Sequence, residues 1–593
     1  LMDVLRQKID SIQAGQVRHE VSSLGEYRKP VDHTLHEMAG SDFIGKLWNK
    51  DPALWKPNPA QQQEITNRLG WLHVSDVMVE HERRLAKLAA DVRQAGYTDA
   101  VVLGMGGSSL APFVMSEAIG SKKGSPRLVV LDSTDPLAIA NVEQQIELDR
   151  TLFMVSSKSG TTTETLSFFR TFWEKLASNP QRAQHFVAIT DPGTPLAKLA
   201  RENGFRATFL NPADIGGRYS ALSYFGLVPA AVAGIDVPRL LGAAVRMEHA
   251  CEACVPADQN PGASLGAIMA DCAKAGRDKV TFLLSPRIES LGLWLEQLLA
   301  ESTGKEGKGL IPVPGNPPGV PDDYGIDRLF ACLRMEGDDN AALDDAVEAL
   351  AKHGAPIVRL DMGDVYDLGA EFFRWEFATA VAGALLQINA FDQPNVQESK
   401  DNTKRLLQMF EASGSLPQPS GLAAAGGIEL AVNEAGRSLL PPGESDVEDG
   451  IASFLSHLKP PKYLALMAYV APSSENDRLF RDLRASLRDD FHVATTFGYG
   501  PRFLHSTGQL HKGGPPAGLF IQITATAHHD IPVPDEPYSY QTLIDAQSLG
   551  DFQSLQQHGR PAIRLTLKDE SPELLRAVAD LLSKAGAGSV LTH

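Results

Sequence analysis

The sequence predicts an α/β chain in which parallel sheets are wrapped by helices. Short apolar runs alternate with helical stretches from Thr98 to Leu210, the mark of strands joined by crossover helices. The alternation restarts after Gly276. Between the apolar run Thr151–Val155 and the helical-looking run Leu166–Leu176 lies Ser157-Lys158-Ser159-Gly160-Thr161-Thr162-Thr163-Glu164-Thr165. That pattern is a strand, a tight loop and a helix start.

Residues 1–95 read as mostly helical and amphipathic, with a polar break at Trp55–Pro59. The first strands are expected at Ala100–Leu103, Arg127–Leu131, Leu152–Val155, Phe186–Ile189 and Ala207–Leu210. A second set is expected at Val280–Leu284, Leu329–Arg334 and Ile357–Leu360, with helices around Leu291–Ala300, Ala341–Lys352 and Phe372–Leu386. Two similar units in tandem follow from this, without a repeat in the sequence itself. Gly, Pro, Ser and Ala crowd Ser413–Gly427, and Leu440-Pro441-Pro442-Gly443 comes soon after, which reads as a linker. The tail from Ile451 alternates again, with strands near Tyr463–Tyr469 and Leu519–Ile523 and a closing helix at Ser571–Ala585. The expected divisions are a helical extension at 1–95, α/β units at 96–255 and 256–412, a linker at 413–450 and a C-terminal α/β region at 451–593.

Composition narrows the function. The chain has 593 residues, 43 % hydrophobic and 22 % charged, with a net charge of −18. That balance argues against a nucleic-acid binder, which carries a basic stripe. An anionic ligand must then be captured by a local field. No apolar run approaches the ~20 residues of a membrane span. The N-terminal Leu1–Lys8 is mixed charged and apolar, unlike a signal peptide, and the start at Leu1 reads as that of a trimmed or excised chain. Four cysteines in so long a chain point to a reducing cytosol. Cys251 and Cys254 have the spacing of a metal or redox pair, but no further ligands are visible. They read as ordinary thiols on a helix at Leu240–Cys254.

Four segments carry chemistry. Val101–Leu103 leads into Gly104-Met105-Gly106-Gly107-Ser108-Ser109, where glycines let the backbone approach a ligand. With Ser157–Thr162 it would form a hydroxyl-rich cup for one phosphate at a helix N-terminus. Asp132 ends the next strand, where a dinucleotide fold places its ribose-binding acid, so a nicotinamide oxidoreductase is a rival reading. Ser109 standing for the third glycine weakens it. Next, Gly216-Gly217-Arg218 sets a guanidinium where backbone comes close, and arginine suits an oxyanion. Glu301 closes an apolar helical run, and a partly desolvated carboxylate there has a raised pKa and can act as a base. Gly304–Gly309 is no Walker loop, because Gly309 replaces Ser or Thr. Last, Gln393 precedes a turn, and Lys400 falls on the first turn of the next helix, an unfavourable place for a cation without an anion nearby.

Together these segments resemble the glucose-6-phosphate isomerase family. Gly104–Pro112, Ser157–Thr165, Gly216–Ser223, Leu298–Gly309 and Phe391–Lys400 match its blocks in order. The subtype is similar to the isomerase portion of bacterial transaldolase fusion proteins. The resemblance implies two tandem sugar-isomerase (SIS) α/β domains with helical extensions, and a homodimer. It assigns Gly107, Ser108, Ser157, Lys158, Ser159 and Thr162 to the substrate phosphate, and Arg218 with Gly217 to the reacting carbons. Glu301 matches the catalytic base, Gln393 and Lys400 the residues after the second domain, and Glu164 the carboxylate that orients a catalytic histidine. In the family that histidine lies between the glutamate and lysine blocks and comes from the neighbouring subunit. Here that interval holds only His353, which looks like a helix C-terminus. The family-like stretch is instead Phe503–Gly513, so the histidine element is moved to the C-terminal region. His505 is the candidate, with His511 as fallback.

The implied reaction interconverts glucose 6-phosphate and fructose 6-phosphate without net redox change, so no cofactor or metal is expected. The implied partner is the hexose phosphate alone, without nucleic acid or membrane, in the cytoplasm. The remaining rivals are a SIS-type sugar-phosphate sensor, which needs the cup but not Arg218, Glu301 and Lys400 together, and a metal-dependent cupin isomerase, which needs clustered histidines.

Overall fold

The computed structural model describes residues 21–443 and 446–590. It is built around three sheets. The expectations for residues 1–20 lie outside the described residues.

Strand β1 (Val21–Ser23) opens the described chain and is followed by helices as far as Gln94. The first sheet holds β2 (Asp99–Leu103), β3 (Arg127–Leu131), β4 (Thr151–Ser156), β5 (Phe186–Thr190) and β6 (Ala207–Leu210), all parallel, in the order β3-β2-β4-β5-β6. Strands β2, β4 and β5 are buried along their whole length. That is why they read as unbroken apolar runs rather than alternating ones.

The second sheet holds β7 (Lys279–Leu284), β8 (Ile311–Val313), β9 (Arg328–Met335) and β10 (Ile357–Met362), with β1 antiparallel on its edge, in the order β1-β10-β9-β7-β8. Neither β1 nor β8 was expected from the sequence. Strand β8 is three residues long and lies beside Pro314, too short for a periodicity to register. The helix Leu291–Thr303 is buried on almost every side, as a core helix must be when it is apolar all round.

The third sheet corrects the linker reading. Residues 421–432 form a hairpin of β11 (Gly421–Ala425) and β12 (Ile428–Val432), and β12 pairs with a later strand. The turn is Gly426-Gly427, with φ of 60° and 86°, a conformation glycine adopts without strain. Ile428 and Leu430 point into the core. The sheet continues through β13 (Tyr463–Tyr469), β14 (Ala494–Tyr499), β15 (Gly518–Ala525) and β16 (Ala562–Leu567), in the order β11-β12-β16-β15-β13-β14. Strands β14 and β16 were not anticipated. Helix Val237–Ala250 ends before Cys251; Cys251 is buried at its C-cap, and Cys254 is exposed beyond it.

The three sheets share one winding. In each, the first parallel strand is flanked by the second on one side and by the third, then the fourth, on the other. Each therefore reverses direction between its first and third strands, and open α/β sheets bind ligands in the crevice at that point. The third unit packs against the second through a shared cluster in which Ala300, Ile311 and Val313 meet Leu510, Phe520 and Tyr463. It also reaches the first, where Tyr540 and Leu543 join the core around Phe153 and Phe168. Among the described residues no helix is long and apolar enough to cross a membrane.

The second and third units pack closely at Gly304. A Cβ there would stand 2.5 Å from Leu510 Cα. Gly304→Ala is expected to lower the unfolding free energy by about 1–3 kcal/mol, the usual cost of overpacking, as measured by urea unfolding.

Candidate active site

The two glycine- and hydroxyl-rich loops come together as the strand order requires. Gly104–Ser108 follows β2, and Ser157–Thr162 follows the adjacent β4. A Cβ on Gly104 would lie 3.0 Å from Ser156 O and 3.1 Å from Ser108 Cβ. Ser157 Oγ lies 2.8 Å from Thr162 Oγ1 and accepts a hydrogen bond from Gly160 N at 3.1 Å. Ser159 Oγ accepts from Thr161 N and Oγ1 at 3.3 and 3.0 Å. Thr162 is the N-cap of helix Thr163–Lys175, yet its hydroxyl makes no capping bond. The first-turn amides are left for an anion. Lys158 departs from expectation: its ammonium pairs with Asp191 and donates to Ala213 O at 3.1 Å.

Gly107 packs so tightly on Gly217 that a Cβ would stand 2.0 Å from Gly217 O. This contact sets the position of Arg218, which is buried. Its Nε donates to Ser302 Oγ at 2.7 Å, Nη1 to Gln393 Oε1 at 2.9 Å, and Nη2 to Ala390 O at 2.7 Å and Asp392 O at 3.0 Å. Nη1 also lies 3.8 Å from Glu301 Oε1. The turn that receives these bonds is held from the other side by buried Lys305, whose ammonium binds Asn389 O and Asp392. Burial, and next the neighbouring Arg218 charge, bring the Lys305 pKa down to about 8.

Glu301 lies in the last turn of Leu291–Thr303 and is 7 % exposed. One turn earlier, Gln297 donates from Nε2 both to Glu301 Oε2 at 3.1 Å and to the His505 carbonyl at 2.8 Å. His505 ends the short turn Arg502–His505. Its Nε2 lies 3.0 Å from Glu164 Oε1. The same oxygen accepts from Gln547 Nε2 at 2.7 Å, and Gln547 Oε1 accepts from Thr134 at 2.7 Å. Burial pushes the Glu164 carboxyl up, but the charge and hydrogen bond of His505, aided by Lys400, outweigh it and hold the group below the ordinary carboxylate range. Glu164, His505, Lys400, Gln547, Ser159 and Thr162 line one cavity of about 590 Å³. Arg218 and Glu301 are not on its walls; Gln297 joins them to its His505 side.

Several expectations change. Lys400 is exposed in the second turn of helix Pro394–Ser413, not the first. Both oxygens of Asp132 are taken by Arg502, at 2.8 Å each, which removes the ribose acid of the nicotinamide reading. His511 is 3 % exposed and packs on the rings of Phe503 and Phe520. Burial and the nearby charges of Lys512 and Arg560 hold it neutral, so the fallback histidine is core. His353 caps helix Ala341–Lys352 on the surface. Burial raises the Cys251 thiol pKa to about 12, as expected for an inert core thiol.

Gln297, Gln547, Arg502 and Lys305 were not singled out in the sequence. Gln297 was findable, since residues four apart share a helix face and Glu301 was already marked. Arg502 and Gln547 act on partners more than 350 residues away, and no local pattern encodes that.

The phosphoglucose isomerase family model matches residues 84–309. The glucose-6-phosphate isomerase of Rubrobacter xylanophilus is 31 % identical over 374 residues, 54 % of this chain and 85 % of that protein. That of Carboxydothermus hydrogenoformans is 30 % identical over 404 residues, 58 % of this chain and 86 % of the relative. A crystal structure of a hypothetical protein from Thermus thermophilus superposes with a TM-score of 0.56 at 26 % identity, covering 65 % of this chain and 99 % of the other. With this sequence match over most of two relatives' lengths, the chain belongs to the phosphoglucose isomerase family.

Proposed function

We infer that this chain is an enzyme that interconverts glucose 6-phosphate and fructose 6-phosphate, an intramolecular aldose–ketose exchange in glycolysis and gluconeogenesis. The observation that carries the reading is the Gln297 bridge. It joins the carboxylate of Glu301 to the backbone of His505, beside the hydroxyl cup. A base and a proton shuttle thus share one rigid frame.

The substrate phosphate sits on Ser108, Ser157, Ser159, Thr162 and the first-turn amides of Thr163–Lys175, with Gly107 allowing close approach. Anchoring the far end orients the sugar. Lys158 serves through its place in the loop, because its ammonium is committed to Asp191. His505, held by Glu164, and Lys400 move the proton that opens the ring. Glu301 takes the proton from C2 and returns it to C1. Arg218, already fixed by Ser302, Gln393 and two carbonyls, stabilises the enediolate oxygen without reorganising, which is what makes a fixed charge effective. Gln393 and Gly217 act through Arg218.

The family resemblance extends the proposal to a homodimer, the likeness to transaldolase fusions to a longer native product, and the four cysteines to a cytoplasmic location. His505 meets Glu164 within one chain, which supports a histidine that acts in cis.

Glu301→Gln should cut kcat by roughly 10²–10⁴-fold, the usual value of positioned acid–base chemistry, while leaving affinity for a sugar-acid phosphate unchanged. Near-native turnover in a coupled fructose 6-phosphate assay would remove Glu301 from the base role. Ser157→Ala should raise KM by roughly tenfold, the loss of one hydrogen bond to a charged group, and an unchanged KM counts against the cup.

The Glu164 pair has a pH signature. Its carboxyl is lower in the folded chain than in the unfolded one, so the stability it contributes is present above the ordinary carboxylate pKa and fades as the pH falls through the folded value. Glu164→Gln should therefore be less stable than wild type at pH 7, with the gap closing in acid. Urea unfolding of both proteins across that range measures it, and a gap independent of pH would contradict the ionised pair.

A further inference from the structure

A second cavity, of about 790 Å³, opens where the second and third units meet the first, which adds Phe113, Glu117 and Gln145 to its wall. Its walls include the turn after β7, at Pro286–Ser290, and the loop after β13, at Pro472–Ser474. Strands β7 and β13 are the first strands of their units. The cavity therefore lies at the carboxyl ends of strands that border the winding reversals, where α/β sheets hold ligands. In the first unit the same place, after β2 and β4, is the hydroxyl cup.

The cavity presents a matched set of donors. Arg484 spends Nε and Nη2 on the carbonyls of Thr495 and Pro314. Arg502 spends Nε and Nη2 on Asp132. Among the described residues neither Nη1 has a partner. Both side chains are locked by their other bonds, so little freedom is lost when the remaining group binds. Glu296, on the helix of Gln297 and Glu301, is 4 % exposed and lines the same cavity. It makes no hydrogen bond or ion pair among the described residues. Burial pushes its pKa up to about 8, against the opposing charges of Arg484 and Arg502. The shift favours the protonated carboxyl, whose O–H can donate a hydrogen bond. A buried polar group left without a partner is costly.

Acids also border the cavity. Asp477 accepts from Tyr499 Oη at 2.7 Å, and Glu289 faces Arg481 at 3.6 Å. These two are engaged by neighbours, and Glu117, exposed on the first unit, is a third acid on the wall. Phe113 and Phe497 supply apolar wall for a carbon skeleton.

We propose that this cavity is a second ligand site, separate from the substrate cavity, that takes the phosphate or carboxylate group of a small metabolite on Arg484, Arg502 and Glu296. Locked guanidinium groups and an acid O–H are the donor set that an oxyanion needs. Because Arg502 and His505 share one short turn, the ligand lies directly behind the histidine. The site stands whether or not the first cavity is the isomerase centre.

The test is equilibrium dialysis of the full chain against labelled inorganic phosphate. Wild type should bind one phosphate per chain more than Glu296→Leu, or bind it at least about tenfold more tightly, the value of one hydrogen bond to an anion. The leucine fills a similar volume and removes a buried unpaired acid, so its melting temperature should stay level or rise. If that variant does not fold, Arg481→Ala at the exposed rim replaces it and should weaken the same phosphate. Citrate as competitor separates the two sources: displacement of this phosphate extends the site to carboxylates, and no displacement restricts it to phosphates. Equal stoichiometry and affinity in wild type and in the folded variant overturn the proposal. Activity plays no part in the readout, so failure of the isomerase assignment would show separately in the coupled assay.

Discussion

The structure turns on one buried carboxylate. Glu164 belongs to the first helical turn after the Ser157–Thr162 loop, and it is 6 % exposed. A charge in that position is costly unless it is paired and hydrogen-bonded. Both of its partners, His505 and Gln547, come from the third unit. The first unit thus cannot bury its own carboxylate without the third docking on it. Folding and assembly of the site are the same event.

Docking is secured at several levels. The Arg502–Asp132 pair is bidentate, which fixes direction as well as distance. Gln297 holds the His505 carbonyl from the second unit, and Glu164 holds the ring from the first. Backbone and side chain of the histidine are therefore restrained independently. The apolar contact of Leu510 on Gly304 places the same segment against the helix that bears Glu301. Placing the His505 segment by four unrelated contacts means that none of them has to be strong.

Much of this was legible in the chain. Strand β13 begins and ends where its apolar run does, because a fully buried parallel strand leaves no polar interruption; the edge strands β3 and β6, only partly buried, keep the expected bounds as well. The cup and the Arg218 segment were visible because close backbone approach demands glycine, and Gly107 against Gly217 is such an approach. The hairpin at 421–432 was hidden by composition. Glycine and alanine look like linker, although the Gly-Gly turn followed by alternating Ile428 and Leu430 is a strand signal. The commitment of Lys158 to Asp191 was not readable, since it depends on which neighbour the fold brings within reach. Arg502 and Gln547 stayed silent for the same reason.

The repeated winding explains how the histidine can come from so far along the chain. In an open sheet the loops at the carboxyl ends of the strands are the variable part, and the sheet behind them is the constant part. The first unit uses its loops for hydroxyls and amides. The second contributes Glu301 and Gln297 from the helix after β7. The third offers the loop after β14, and it carries His505. Three copies of one architecture are therefore linked around His505, each supplying a different chemical group from a loop or helix at the carboxyl ends of its strands. What cannot change freely is the buried surface that sets their mutual orientation, and that surface ends in the Glu164 carboxylate.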